Sequence, residues 1–244
     1  MLVVGIITTF FCPEPNDVGD KIKPIKGSYG TWLLQTYWGP FKNFMQKPGW
    51  LLIIIFILIY KMGDNLLGNM ATVFYKELGF TGAEVGTATK FFGSWMTILG
   101  SFLIGFISYR HGIMKSLLFA GVLHLLTNGM FIIMDHVGHN VPLLYGAIAL
   151  ENTSNGMMIG SFVAYLSSLC SVEYTATQYA LLSSMMAQCR TVVQALSGWI
   201  ASLTTWTEFF IWAMVAAVPG FLLLLYLMKK YPLEKEILPR KKRR

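Results

Sequence analysis

The sequence predicts an all-α membrane protein built around six transmembrane helices. Of its 244 residues, 55% are hydrophobic and 13% are charged, whereas a soluble domain has about 45–50% apolar and about 25% charged residues. Six stretches are long enough to cross a bilayer, which takes about 20 mostly apolar residues in a helix. Most Lys and Arg residues lie outside these stretches, so the net charge of +7 is explained by the flanks and loops of a membrane protein.

The first 49 residues precede the predicted bundle. Residues 1–11, MLVVGIITTFF, are apolar, but a helix of this length reaches only about 16 Å and cannot cross a hydrocarbon core of about 30 Å. They also lack the basic start and the small-residue cleavage site of a signal peptide. We expect the cytoplasmic end of a truncated transmembrane helix, followed over residues 12–49 by a cytoplasmic linker that contains a short amphipathic helix.

The six-helix transmembrane bundle is expected over residues 50–228. Thr81 and Glu84 have the spacing of a capping box, and Pro142 suits the first turn of a helix. Pro219 and Gly220 should kink the sixth helix without ending it. The predicted spans are residues 50–76, 83–108, 114–134, 142–169, 176–201 and 207–228.

The distribution of basic residues predicts the orientation in the membrane. Of the 19 Lys and Arg residues, fifteen lie in residues 12–49, in the second-to-third loop or after residue 228, and one, Lys76, lies in a loop of the opposite side. Cytoplasmic loops carry such an excess. Both flanks of the bundle are therefore predicted to be cytoplasmic. The basic tail, residues 229–244, is interpreted as an anchor at the lipid surface and not as a nucleic-acid site.

A group of polar residues interrupts the first predicted helix. Lys61, Asp64, Asn65 and Gly68 follow the spacing i, i+3, i+4, i+7, which places them on one helix face near the middle of the span. Each charge inside a bilayer costs about 2.5–3.5 kcal/mol on insertion scales, so such residues usually face a cavity or one another. The pattern favours a solute or proton path, with the alternative that Lys61 and Asp64 merely neutralise each other.

Polar residues of the second, fourth and fifth helices are expected at the same cavity. Within the helices three cations outnumber two anions, which favours an anionic, hydrogen-bonding solute. Asp64 and Glu151 are the candidates for proton coupling, because a carboxylate in a low-dielectric cavity can carry a proton. Gly156 and Gly160 are expected to permit close helix packing. The predicted substrate-cavity residues are Lys61, Asn65, Lys90, Asn152, Asn155, Arg190 and Gln194.

The sequence indicates no catalytic residue, no metal site and no cofactor. The three cysteines lie far apart, without the spacing of a disulfide framework or a zinc site. Intramembrane serine proteases also embed polar residues in helices, and His124, Asn128 and Ser197 are of the types they use. Those proteases need a general-base His after the serine, however, and all four histidines precede Ser197. We interpret His124 and Asn128 as helix-packing polar groups.

Several segments resemble a known transporter family. Residues 105–112, GFISYRHG, with Lys115 follow the loop pattern found after the second helix of each half in major facilitator transporters, except that Tyr109 replaces an acidic residue. More specific are YKMGDN, GFTGAEVG with Lys90, ENTSNGMMIGSFVAYLSSLC, TATQYALLSSM and AAVPGFLLL. Together, and over nearly the whole chain, they resemble the C-terminal six helices of the AmpG family of muropeptide permeases.

The resemblance implies a permease of the bacterial inner membrane that imports anhydro-muropeptides from cell-wall turnover, driven by the proton gradient. The implied partners are membrane lipid, an anionic glycopeptide substrate, and either a separate N-terminal six-helix half or a second copy in a homodimer. Nucleic acid is not among them. Two alternatives stay open. The chain is a transporter for another anionic solute, or it is a non-transporting remnant or partner subunit of a split permease.

Overall fold

The computed structural model describes residues 38–231. Within this range the secondary structure is helical, without a strand. The predicted truncated helix at 1–11, most of the predicted linker and most of the basic tail lie outside the described residues. Of the linker, residues 38–45 form a helix, α1.

The remaining helices follow one another with short connections. The first long segment consists of α2 (Trp50–Ile59), α3 (Met62–Leu67) and α4 (Met70–Glu77). The second consists of α5 (Gly82–Gly86), a π-helical segment (Thr87–Phe92) and α6 (Gly93–His111). The others are α7 (Ile113–Val137), α8 (Val141–Leu169), α9 (Thr175–Leu203) after a 3-10 turn (Val172–Tyr174), and α10 (Trp206–Lys230).

Four helical segments are long and apolar enough to span a membrane. They are Trp50–Glu77, Gly82–His111, Ile113–Val137 and Trp206–Lys230. Val141–Leu169 and Val172–Leu203 reach the required apolarity only as a pair, and this pair is bent by 106°. By length and composition, residues 38–231 therefore contain four spans, or five if the bent pair counts as one. Six crossings stay a prediction.

The helical breaks lie beside the predicted polar residues. The break between α2 and α3 falls at Tyr60 and Lys61, directly before Asp64. Gly68, between α3 and α4, has φ 10° and ψ −106°, outside helical geometry. The π-helical segment carries Lys90. Irregular turns in membrane helices are tolerated where they line a cavity, and π-helical turns are frequent at functional sites.

Two apolar cores are separated by a layer of buried polar side chains. α7 contributes Leu117 to one core and Phe131 to the other, while the buried His124 and Asn128 lie between them. α8 repeats this order, with the fully buried Ser154 between its two apolar ends. We call this level of the bundle the polar layer. It is where hydrogen bonds and ion pairs replace apolar packing.

α6 and α8 pack with their backbones close together. A Cβ atom at Gly156 would overlap the carbonyl oxygen of Thr97, and a Cβ atom at Gly100 would overlap the carbonyl oxygen of Thr153. Ser101 Oγ donates a hydrogen bond to the carbonyl oxygen of Gly156 (3.2 Å). Small residues permit such an approach between membrane helices. The packing role expected of Gly156 is therefore confirmed, and it fixes α8 against α6.

The local signals read from the sequence agree with the helix starts. The Glu84 N–H donates to Thr81 Oγ1 (3.3 Å), and the Thr81 N–H donates to Glu84 Oε2 (2.8 Å), which completes the predicted capping box. Pro142 lies in the first turn of α8. α10 continues through Pro219, as expected.

α1 is attached to the end of the bundle where α8 gives way to α9. Gln178, which is 1% exposed, donates from Nε2 to the Pro40 carbonyl oxygen (3.0 Å) and to Asn43 Oδ1 (3.1 Å). Its Oε1 accepts from the Ser171 N–H (2.8 Å). A single buried amide thus ties α1 to the start of α9.

Candidate functional site

A cavity of about 550 Å³ is lined mainly by residues of α2 to α4, the π-helical segment, α8 and α9. Every residue predicted for the cavity or for coupling lines it, although these residues come from four separate parts of the chain. They are Lys61, Asp64, Asn65, Lys90, Glu151, Asn152, Asn155, Arg190 and Gln194. The structure therefore brings the predicted residues to one place. Their roles in transport stay predictions.

Lys61 and Asp64 form an ion pair across the break between α2 and α3. Lys61 Nζ lies 3.1 Å from Asp64 Oδ2, and the two side chains are 16% and 22% exposed. The two charges do neutralise each other, as the alternative interpretation requires. Yet both side chains also line the cavity. The second carboxylate oxygen of Asp64 faces another ionisable group, so Asp64 has a contact besides Lys61.

Glu151 and Asn152 form the second polar contact of the cavity. Asn152 Nδ2 donates to Glu151 Oε2 (2.9 Å) and to the Ile148 carbonyl oxygen (3.1 Å). Its Oδ1 accepts from Thr97 Oγ1 on α6 (3.2 Å). The amide is therefore held between α6 and α8 and in turn orients the Glu151 carboxylate.

An amide of the cavity wall has hydrogen-bonding capacity to spare. Asn155 Oδ1 is buried and accepts no hydrogen bond from the described residues. Leaving such an atom unpaired costs about 1–3 kcal/mol, which a donor in the cavity would offset. Asn155 is thus suited to receive a hydrogen bond from a solute.

Lys90 and Arg190 are cations on the exposed part of the cavity. Both side chains are exposed and both line the cavity, Lys90 from the π-helical segment and Arg190 from α9. Within residues 38–231, no carboxylate oxygen lies within 4.0 Å of either charged group. Two positive charges are therefore available to an anion in the cavity.

Sequence reasoning missed the part of this site that His124 forms. His124 is 4% exposed, and its Nε2 lies 3.4 Å from Asp64 Oδ1. Its Nδ1 is 3.0 Å from Ser154 Oγ on α8. The spacing of His124 and Asn128 was visible, but a packing role and an ionisable role give the same pattern on one helix. The partner on α3 is revealed by tertiary structure alone.

Asp64, His124 and Glu151 form a three-residue cluster, which we call the carboxylate–histidine cluster. One ligand-type atom from each lies within 4.8 Å of the other two, and this is the one such group among the described residues that is suited to a cation. With Lys61 beside Asp64, the charges sum to −1 when both carboxyl groups are ionised. A single positive charge balances that sum, whereas a divalent ion would leave an excess beside the Lys61 ammonium.

The chain matches known transporters along most of its length. The Major Facilitator Superfamily profile matches residues 1–190 and 53–244. The chain is 33% identical to the putative transporter AmpG 4 of Rickettsia conorii over 93% of its own length and 55% of that protein. It is 36% identical to AmpG 4 of Rickettsia felis over 78% of this chain and 46% of that protein.

A third relative is the anhydromuropeptide permease of Escherichia coli K12, with 31% identity over 92% of this chain and 44% of the relative. The chain thus spans about half the length of the curated relatives it matches. These proteins are transporters by name and not enzymes, in agreement with the expectation from the sequence. The helices long enough to span a membrane likewise describe an integral, multi-pass membrane protein. The chain therefore belongs to the major facilitator superfamily, as an AmpG-like member.

Proposed function

We propose that this bundle forms part of a proton-coupled permease that imports anhydro-muropeptides across the bacterial inner membrane. The observation that carries the proposal is the single cavity, which gathers two carboxylates, three cations and several amides from distant parts of the chain. The name of the Escherichia coli relative supplies the substrate class. The charges of the cavity supply the reason why such a substrate would bind.

Lys90 and Arg190 are the residues proposed to bind the carboxylates of the substrate. A peptide-bearing muropeptide carries carboxylates, and these two cations have no carboxylate partner among residues 38–231. Charge-assisted hydrogen bonds are roughly twice as strong as neutral ones. Asn65, Asn152, Asn155 and Gln194 add donors and acceptors that suit the hydroxyl and amide groups of a sugar–peptide.

The coupling end rests on Asp64 and Glu151. Both line the cavity, and ionisable side chains inside membrane helices commonly mark proton or substrate paths. Protonation of either would change the charge balance around Lys61, and with it the attraction of the cavity for an anion. Proton binding and solute binding would then be linked through the same group of charges.

Transport is proposed to require a second bundle. Transporters of this type move solute by rocking two bundles about a site at the midplane. Lys90 and Arg190 are exposed on this bundle, and each would cost about 2.5–3.5 kcal/mol if it faced lipid near the bilayer centre. A separate six-helix half or a second copy of this chain would cover them. In either assembly we propose six crossings with both basic flanks in the cytoplasm.

The test is uptake of a labelled anhydro-muropeptide into liposomes that contain the purified chain. We expect background uptake by the chain alone. Accumulation driven by an imposed proton gradient should follow when the chain is co-expressed with the part of the Escherichia coli relative that it does not match. Proton-driven uptake by the monomeric chain would refute the need for a second bundle, and uptake by a homodimer would identify the partner as a second copy.

Two further results would revise the proposal itself. Accumulation of another anion, but not of the muropeptide, would make the chain a transporter for a different anionic solute. No uptake of any anion in either assembly would favour a non-transporting subunit or remnant. Liposomes with the same lipid but no protein provide the background, and intact insertion is checked by protease protection.

A further inference from the structure

His124 is a buried ionisable side chain of the polar layer, for which the sequence suggested only a packing role. We infer that His124 carries the coupled proton, accepting it from Asp64 at Nε2 and returning it by the same route. This inference rests on the proposed function, because it assigns a residue to the coupling step.

One arrangement of the hydrogens around His124 leaves the nitrogen beside Asp64 without a hydrogen when the ring is neutral. Ser154 Oγ donates to the Glu151 carbonyl oxygen (2.9 Å), which leaves its lone pairs free to accept from the Nδ1–H of His124 at 3.0 Å. Thr127 Oγ1 lies 2.8 Å from Ser154 Oγ, and either hydroxyl can donate in this contact. A histidine that donates from Nδ1 has a bare Nε2 when it is neutral. The nitrogen that is free to gain a proton is therefore the one nearest Asp64.

The contact between Nε2 and Asp64 becomes favourable when His124 binds a proton. In the neutral ring, a lone pair faces carboxylate Oδ1 across 3.4 Å, and Nε2 has no hydrogen-bond partner among the described residues. Two acceptors at this distance do not attract each other. A proton on Nε2 converts the contact into a charge-assisted one. His124 therefore gains a partner by binding a proton, without any change in its other hydrogen bonds.

With both carboxyl groups ionised, the charges around His124 leave room for one proton. Lys61, Asp64 and Glu151 then sum to −1 while His124 is neutral, and a protonated His124 brings the cluster to zero. Among the other helices packed against α7, α6 and α10 carry no Asp, Glu, Lys or Arg in their middle turns. Two tyrosines also lie near the cluster: the Tyr60 hydroxyl donates to the Leu117 carbonyl oxygen (2.8 Å), and Tyr75 lines the cavity.

Asp64 provides the shortest ionisable contact between His124 and the cavity. His124 does not line the cavity, whereas Asp64 does. A proton from the cavity first forms the Asp64 carboxylic acid. Its O–H bond then breaks as the Nε2–H bond of His124 forms, which leaves a carboxylate beside an imidazolium. The return step reverses these two bonds, so no further reactant is needed.

The closing experiment compares two activities of His124→Gln in the assembly that transports. One is accumulation under a proton gradient, and the other is exchange of labelled for unlabelled solute at equal pH on both sides. With one proton per solute and one pH unit across the membrane, the wild type should accumulate about tenfold. His124→Gln should reach a ratio of about one while it still exchanges solute. Asn128→Ala, one turn further along α7, is the matched control and should keep the wild-type ratio.

The outcomes separate this inference from the proposed function. If the wild type accumulates and His124→Gln accumulates equally well, His124 does not carry the proton. If the inserted variant loses exchange and accumulation together, His124 has a binding or structural role and the inference is wrong. If the wild type shows no dependence on the proton gradient, the proposed function itself fails.

A measurement on the wild type removes any dependence on variant folding. Histidine-selective 15N labelling reports which ring nitrogens carry hydrogen, and the His124 signal is assigned by its loss in His124→Gln. We expect hydrogen on Nδ1 alone at high pH and on both nitrogens at the low end of the transport range. A His124 ring that stays neutral across the whole pH range of transport would overturn the inference.

Discussion

The cations of the cavity differ in whether they have a carboxylate partner. On one side, Lys61 is paired with Asp64 at 3.1 Å, and Asp64 in turn meets the buried His124. On the other side, Lys90 and Arg190 are exposed, and no carboxylate oxygen lies within 4.0 Å of them among residues 38–231. Lys61 therefore stabilises a carboxylate of the protein, whereas Lys90 and Arg190 are available to bind an anion that enters the cavity.

The same difference ranks the expected effects of substitution. Breaking a buried ion pair costs about 3–5 kcal/mol, because the other charge is left uncompensated, and the partly buried pair of Lys61 and Asp64 should lose part of that amount. Removing an exposed charge has a much smaller effect on stability. We therefore expect the largest losses on the side of Lys61 and Asp64 and the smallest on the side of Lys90 and Arg190.

The largest effect is predicted for Asp64→Asn, which should abolish proton-driven uptake while the protein remains inserted. The amide keeps the shape of the side chain but cannot titrate. The measurement is accumulation of labelled anhydro-muropeptide in the reconstituted assembly, with protein level determined on the same liposomes.

The double variant Lys61→Met with Asp64→Asn provides the control for this prediction. If Asp64 served only to neutralise Lys61, removal of both charges would restore accumulation. We expect the double variant to remain inactive. Wild-type accumulation in either variant would reduce Asp64 to a structural partner of Lys61 and would erase the distinction between the two sides.

An intermediate effect is predicted for Gly156→Val, which tests the packing that positions Glu151 and Asn152. The new side chain would overlap the Thr97 carbonyl oxygen, so α6 and α8 must separate. Overpacking of this kind typically costs about 1–3 kcal/mol. We expect a lower yield of folded protein and a lower midpoint of thermal unfolding in detergent.

Gly146→Val on the same helix is the matched control, because a Cβ atom at Gly146 meets no atom within 4 Å. Its unfolding midpoint should stay close to that of the wild type. Equal losses in both variants would mean that any β-branched residue destabilises α8, and the backbone contact with α6 would not be the cause.

The smallest effect is predicted for Lys90→Gln and Arg190→Gln. Each should weaken binding of a peptide-bearing muropeptide by about tenfold, or about 1.4 kcal/mol, because one charge-assisted contact becomes neutral. Binding of a neutral sugar analogue should change little. Competition against labelled substrate measures both ligands in one assay. Equal losses of affinity for the two ligands would contradict this prediction and would point to misfolding.

Much of the fold is visible in the sequence because its signals are local. The predicted second span, 83–108, compares with Gly82–His111, and the predicted last span, 207–228, compares with Trp206–Lys230. Caps are equally local, and one that we overlooked has the same spacing. Thr205 and Glu208 form a second capping box at the start of α10. The number of membrane crossings is not visible in the same way, because α8 and α9 are each too polar to be identified as a membrane span alone.

The site shows the limit of local reasoning most clearly at the polar layer. The spacing of Lys61 and Asp64 predicted a shared helix face, and their ion pair was the alternative interpretation, because residues three apart on a helix lie side by side. The position of Lys90 on a π-helical segment and the break at Gly68 were not predicted, since neither follows from propensity. His124 was assigned to packing, because its distance to Asp64 depends on how α7 and α3 meet.

Local sequence features are enough to predict the membrane environment, the helices and the residue types of the site. Composition and apolar length decide that the chain lies in a membrane, and i, i+3, i+4 spacing decides which polar residues share a face. Tertiary structure alone decided which faces meet. The close backbone approach at Gly100 and Gly156 sets α8 against α6, and the contact of α7 with α3 places His124 beside Asp64. Those contacts join residues 53 to 60 positions apart, and they exist only once the two apolar cores have packed on either side of the polar layer.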